Sequence, residues 1–183
     1  LTFKQHLSCV AAKLAKSLGA INRIKFFLPR RSLNILYNSI CVPHLVYGNI
    51  IWASTYPSLT LPLQRLMKKA MRIITNSKFY DSTKLLFPLT RNLNFIDLHR
   101  YLCSFFVFKQ QAGLLPAIFC DYYKFFLNNR HQNIIRCNKS KTNILFFHIF
   151  CNGPRIWNNL IVKYNLNSIL DNRRLNIFKK KLK

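Results

Sequence analysis

Four cations recur on one short stretch of the chain: Arg65, Lys68, Lys69 and Arg72 stand at i, i+3, i+4 and i+7 within LPLQRLMKKAMRIITN. At about 100° per residue these positions share roughly one quarter of a helix circumference. Leu63, Leu66, Met67, Ala70, Ile73 and Ile74 take the opposite side. A face of this kind neutralises phosphates and releases their counterions, which gives affinity for a nucleic-acid backbone without reading its sequence. Arg30, Arg31 and Arg136 are supporting candidates, together with Arg173, Arg174, Lys179 and Lys180 in the C-terminal tail. The plainer reading of the same pattern is a solvated basic face with no particular ligand.

The charge balance bears on that choice. There are 29 Lys and Arg against four Asp and no Glu, for a formal charge of +25. Self-repulsion of that size calls for a polyanion or an acidic neighbour, so RNA or DNA is the first partner to consider. Anionic membrane or an acidic protein comes second, and a purely structural role third. A coding bias towards Lys, Asn, Phe and Ile would also contribute to the charge. The four acids, Asp81, Asp97, Asp121 and Asp171, are far apart in sequence. Two-metal phosphoryl chemistry needs carboxylates that converge on Mg²⁺, and no Asp-Asp pair exists here. With four glycines in all, a Gly-rich phosphate loop is missing, as are a nucleophile elbow and a zinc-hydrolase motif. The chain alone is therefore not expected to be catalytic, nor to hold a metal or cofactor.

The elements that must position the cations follow from apolar spacing. Half of the residues are apolar and sixteen are Phe, so a folded core is expected, and no linker-like stretch divides the chain. Leu7, Val10, Ala11, Leu14, Ala15 and Leu18 predict a helix that Gly19 ends, with a second short helix over 20–28. Ser32 is the candidate cap of the next helix, which Pro43 should kink or break before the chain resumes helically to Trp52. Trp52, Tyr47 and His44 read as core. Ser58 and Thr60 are candidate caps of the cation-bearing helix, Pro62 suits its first turn and Asn76 its left-handed stop. Lys84 to Leu86 reads as a turn before Pro88. Asp97 is expected to cap a nearly all-apolar helix ending at Gly113, and Pro116 to open another that runs to Leu127. Ile144 to Phe150 reads as a short strand, hairpin or apolar loop. Gly153-Pro154 reads as a turn, Trp157 as the start of a short helix, and Leu175 to Leu182 as a basic helix. The expectation is a mainly α, irregular bundle of about six to eight helices.

No run of about eighteen apolar residues predicts a membrane span. Six cysteines are scattered without a C-x-x-C, which fits reduced thiols in the nucleus or cytoplasm better than a disulfide scaffold or zinc site. With Leu at position 1, the chain is read as starting inside a larger reading frame.

Several stretches together resemble the segment that follows the polymerase core in jockey-like non-LTR retrotransposon (LINE) reverse transcriptases. They are Tyr37-Asn38-Ser39, Pro43-His44-Leu45 with Tyr47-Gly48, Ile51-Trp52, and Leu66-x-Lys68-Lys69-Ala70-x-Arg72-Ile73-Ile74. In order after them come Leu114-Leu115-Pro116, Gly153-Pro154-x-x-Trp157-Asn158-x-Leu160 and Phe178-Lys179-Lys180-Lys181-Leu182. Of the family's His-x-Tyr-Asn-Thr-Arg motif, His131 and Arg136 are kept; Ile161 stands where Pro is usual, and Thr90-Arg91-Asn92 where Leu-Asn-Ile is common. The resemblance implies a thumb-side bundle over 1–127, with a basic extension over 128–183 packed on it as one structural unit. It also implies that the catalytic aspartates and their Mg²⁺ belong to an upstream polymerase domain of the same polypeptide. The basic face would then grip template–primer or target nucleic acid.

Overall fold

A computed structural model describes residues 3–119, 121–123 and 134–164 of the chain. They are mainly helical and fall into two compact units, Leu1–Leu98 and His99–Lys183. The expected junction at 127/128, the helix over 175–182 and the end of the helix expected from Pro116 lie outside the described residues.

The first unit is built on the cation-bearing helix. Helix α1, Lys4–Ile24, buries Leu7, Val10, Leu14, Leu18 and Ile21 on one stripe. It does not stop at Gly19, because Ile21 continues the stripe and its burial outweighs the roughly 1 kcal/mol a helical glycine costs. Helix α2, Arg30–Leu36, starts after Pro29 rather than from a Ser32 cap. It leads into a π turn, Tyr37–Cys41, and then α3, Val42–Val46, with Pro43 in its first turn. Pro43 has no N–H to donate, and the widened turn before it absorbs the mismatch, so the expected break takes the form of a π turn. Gly48, at φ +61°, separates α3 from α4, Asn49–Trp52. The Trp52 indole then closes the turn by donating from Nε1 to the Tyr47 carbonyl at 2.7 Å. Trp52 is buried between His6 and Phe95, whereas Tyr47, expected in the core, is 81% exposed.

Helix α5, Pro57–Thr75, packs against α1, α2 and the following helix α6, Thr83–Thr90. Its first turn is set by Pro57, so Pro62 lies inside it, at the cost of one helical hydrogen bond. The helix ends as its sequence implies. Asn76 is left-handed at φ 52°, and Ser77 N donates back to the Arg72 carbonyl at 3.1 Å. The segment expected as a turn before Pro88 is helical throughout α6, which Arg91 ends in the same left-handed geometry at φ 56°. Asn34 Nδ2 donates to the Thr90 carbonyl at 3.1 Å and Asn92 Nδ2 to Asn34 Oδ1 at 2.7 Å, so polar side chains tie α2 to the end of α6. Helix α7, Phe95–Gln111, is capped by Asn94 rather than Asp97: Asn94 Oδ1 accepts from Asp97 N at 2.9 Å. It ends at Gly113, φ +69°, where Leu114 N donates to the Lys109 carbonyl at 2.9 Å.

In the second unit, Val107, Phe108, Tyr123, Ile135, Trp157 and Ile161 form the core. Pro116 is followed by a single 3₁₀ turn, Ala117–Phe119. The segment expected as a strand or hairpin is helical. It forms α8, Asn143–Phe147, and the start of α9, Ile149–Tyr164, whose interior includes Gly153 and Pro154. An Ile/Phe-rich run cannot by itself separate a buried strand from a buried helix. The Thr142 side chain decides it here, capping α8 by accepting from Leu145 N at 3.3 Å. Gly153 then serves packing rather than turning. A Cβ at that position would lie 2.5 Å from Tyr123 Oη, which donates to the Ile149 carbonyl at 3.0 Å.

Candidate nucleic-acid interface

Helix α5 separates its two faces as the spacing requires. Thr60, Leu63, Met67, Ala70, Met71, Ile73 and Ile74 are buried, with Leu66 half-buried beside them. Arg65, Lys68 and Lys69 are exposed on the other side. Among the described residues none of these three is held by an ion pair or side-chain hydrogen bond. Arg65 and Lys69 are separated by about 6 Å of helical rise, close to the roughly 7 Å of axial rise spanned by three successive phosphates of one strand. The core side of α5 holds this row on a rigid element, so little side-chain order is lost on binding beyond the lysine and arginine stems themselves.

Arg72, the fourth member of the stripe, differs from the other three. It is half-buried, donates from Nη2 to the Asp81 carbonyl at 3.2 Å, and sits over the Phe79 ring at 5.5 Å. It therefore fastens the loop after α5 to the end of the helix. Arg30 is exposed and donates from Nη2 to the Leu89 carbonyl at 2.9 Å, joining α2 to α6, while Arg31 beside it is exposed. Arg136 is exposed in the second unit. Arg173, Arg174, Lys179 and Lys180 lie outside the described residues.

Two of the described acids, Asp81 and Asp97, are engaged in local structure. Asp81 Oδ2 accepts from Lys78 N at 2.7 Å and Asp97 Oδ2 accepts from Asn94 Nδ2 at 2.6 Å. Among the described residues no three His, Cys, Asp or Glu side chains come together as a metal site. One pair resembles a nucleophile with its base: Cys103 Sγ lies 3.6 Å from His99 Nε2. Burial drives the two apart from an ion pair. It pushes the thiol up to about 12 and, with Arg100 nearby, the imidazole down to about 4, so both are neutral near pH 7. A thiolate nucleophile needs the reverse shifts. Cys9, Cys41, Cys103, Cys137 and Cys151 are free thiols.

Trp157 and Asn158, which carry part of the resemblance, have structural places. Trp157 is fully buried, and Asn158 pairs with the backbone of Ile135, accepting from its N–H at 3.0 Å and donating to its carbonyl at 2.9 Å. That clasp secures an extended segment onto α9, and spacing alone gave no sign of it. Among the described residues no helix is long and apolar enough to cross a membrane. Comparison of the chain with protein-family models, with curated proteins and with solved structures finds no match in any of the three.

Proposed function

We propose that this chain is the post-polymerase, C-terminal portion of a non-LTR retrotransposon reverse transcriptase, an RNA-directed DNA polymerase, and that it holds nucleic acid for chemistry performed elsewhere in the polypeptide. The observation that carries the reading is the α5 face: three exposed cations in a row on a helix whose other side is core. The order of the resembling stretches along the chain supports the family assignment, and the charge of +25 supports a polyanionic partner. In this reading Arg65, Lys68 and Lys69 contact phosphates of RNA or DNA, with Arg31 in α2 and the basic C-terminal residues adding to the field. The Mg²⁺-binding carboxylates belong to the upstream polymerase domain, and the compartment is reducing, nucleus or cytoplasm.

Gel shift with RNA, RNA–DNA hybrid and duplex DNA, set against co-sedimentation with anionic vesicles at matched ionic strength, tests the reading. Nucleic-acid binding that exceeds vesicle binding and weakens steeply with salt supports it; vesicle binding alone would replace it with membrane docking. Exposed Phe26, Phe27 and Tyr47 favour an additional role in packing on the upstream domain. Hydroxyl-radical labelling of these rings should fall in a chain extended upstream through the polymerase core, and equal labelling would remove that role.

A further inference from the structure

The loop that follows the stripe has more fixed geometry than a connector needs. Ser77 N donates to the Arg72 carbonyl at 3.1 Å, Lys78 N to Asp81 Oδ2 at 2.7 Å, and Asp81 N to the Lys78 carbonyl at 3.2 Å. The Arg72 guanidinium closes the far end through the Asp81 carbonyl at 3.2 Å. Lys78–Asp81 is thus a turn fastened at both ends, with Phe79 and Tyr80 at its two central positions. Both rings point outward, 77% and 92% exposed, in edge-to-face contact with centroids 5.4 Å apart. Two large aromatic side chains left in water forgo the roughly 2 kcal/mol or more that burial of each would contribute, so their outward fixing requires a reason.

We infer that Phe79 and Tyr80 form a stacking platform for an unpaired base at the C-terminal end of the α5 cation row, making this face a site for single-stranded nucleic acid continuous with a phosphate track. The inference rests on the proposed nucleic-acid reading and adds its substrate class. An aromatic ring stacks with any base, because every base has a π-face, and flanking cations neutralise the adjoining phosphates. Those cations are present: Lys68 and Lys69 lie about two turns before the loop on α5, Lys78 is exposed in the turn itself, and Arg72 already lies over the Phe79 ring. A membrane-inserting tip would have aliphatic neighbours. Here the turn reads Ser77-Lys78-Phe79-Tyr80-Asp81-Ser82, which suits a flat polar partner more than an acyl phase.

The test uses the whole chain and two labelled probes, a blunt duplex and the same duplex with a single-stranded overhang, at matched ionic strength. The parent should bind the overhang probe more tightly. Phe79→Ala with Tyr80→Ala should lose about tenfold on that probe and change the blunt probe by less than about twofold. Both rings are exposed, so far-UV circular dichroism and the unfolding midpoint should be unchanged. Phe79→Trp should keep the affinity, and the emission of the added indole should fall on overhang binding, above a background from buried Trp52 and Trp157. Equal losses on both probes, no loss, or unchanged Trp emission would overturn the platform while leaving the stripe intact. Failure of the parent to bind either probe would end both readings. A blue-shifted Phe79→Trp emission with anionic vesicles but not with nucleic acid would assign the turn to a membrane instead.

Discussion

Replacing Arg65, Lys68 and Lys69 together by glutamine removes the three exposed cations of α5 and leaves Leu63, Met67, Ala70 and Ile74 in the core. Glutamine has nearly the helix propensity of Arg and Lys, and these are surface positions, so stability should change by no more than about 0.5 kcal/mol. Any loss of binding is then a loss of contacts rather than of fold. For duplex DNA each phosphate neutralised contributes about 0.9 to the slope of log affinity against log salt, so three contacts contribute about 2.7. Between about 0.05 and 0.2 M salt, the parent should therefore lose roughly 40-fold more affinity than the variant does. Fluorescence anisotropy titrations at four salt concentrations measure both slopes directly. Arg72 is left out of the triple change because it fastens the Lys78–Asp81 turn, and its loss would mix a loop effect with a charge effect. A variant that keeps the parent's slope and affinity would refute the assignment of phosphates to this face.

The second unit offers a pH test. His99 titrates near 4 when folded against an ordinary 6.5, so the unfolded chain binds a proton that the folded chain refuses. Its contribution is therefore complete above about pH 6.5 and is lost as pH falls towards 4, by up to roughly 3 kcal/mol. Tm measured across that range should drop in the parent and drop less in His99→Gln; parallel profiles would reject the assignment. Gly153→Ala should lower the unfolding free energy of this unit, measured by urea titration, by about 1–2 kcal/mol, because the added Cβ meets Tyr123 Oη. The gain usual for Ala in a helix would contradict that packing. Asn158→Ala strands the Ile135 N–H and carbonyl and should cost about 1–3 kcal/mol by the same titration; a loss below 0.5 kcal/mol would show the clasp to be idle. In the first unit, Arg91→Asn should instead raise the unfolding free energy by about 0.5 kcal/mol, since φ 56° suits Asn better than Arg. No change there would show that the left-handed turn carries no strain.

Periodicity made α5 readable in the sequence because its cations and its core residues fall on opposite arcs, and Asn76 supplied a stop of the right handedness. Where several local signals competed, the tertiary context decided. Gly19 could end a helix, but Ile21 continues the buried stripe and carries α1 past it. Pro62 could open α5, yet Pro57 had already done so. Gly153-Pro154 looks like a turn until Tyr123 is seen against the glycine, a contact between residues thirty apart that no local pattern reveals. Tyr47 and Trp52 looked equivalent as aromatics, but the Trp52 indole bonds the Tyr47 carbonyl from within the core and leaves the tyrosine ring outside. For the candidate site, spacing grouped Arg72 with Arg65, Lys68 and Lys69. Its attachment to Asp81 and Phe79 depends on how the chain turns after the helix, which spacing does not encode.

Lysine footprinting tests most directly whether the α5 face holds nucleic acid. With the chain saturated by an RNA–DNA hybrid at low ionic strength, acylation of Lys68 and Lys69 should fall sharply relative to the free chain, while Lys4 and Lys13, exposed on α1, should change much less. Lys68 and Lys69 reacting as fast in the saturated complex as in the free chain would contradict the account.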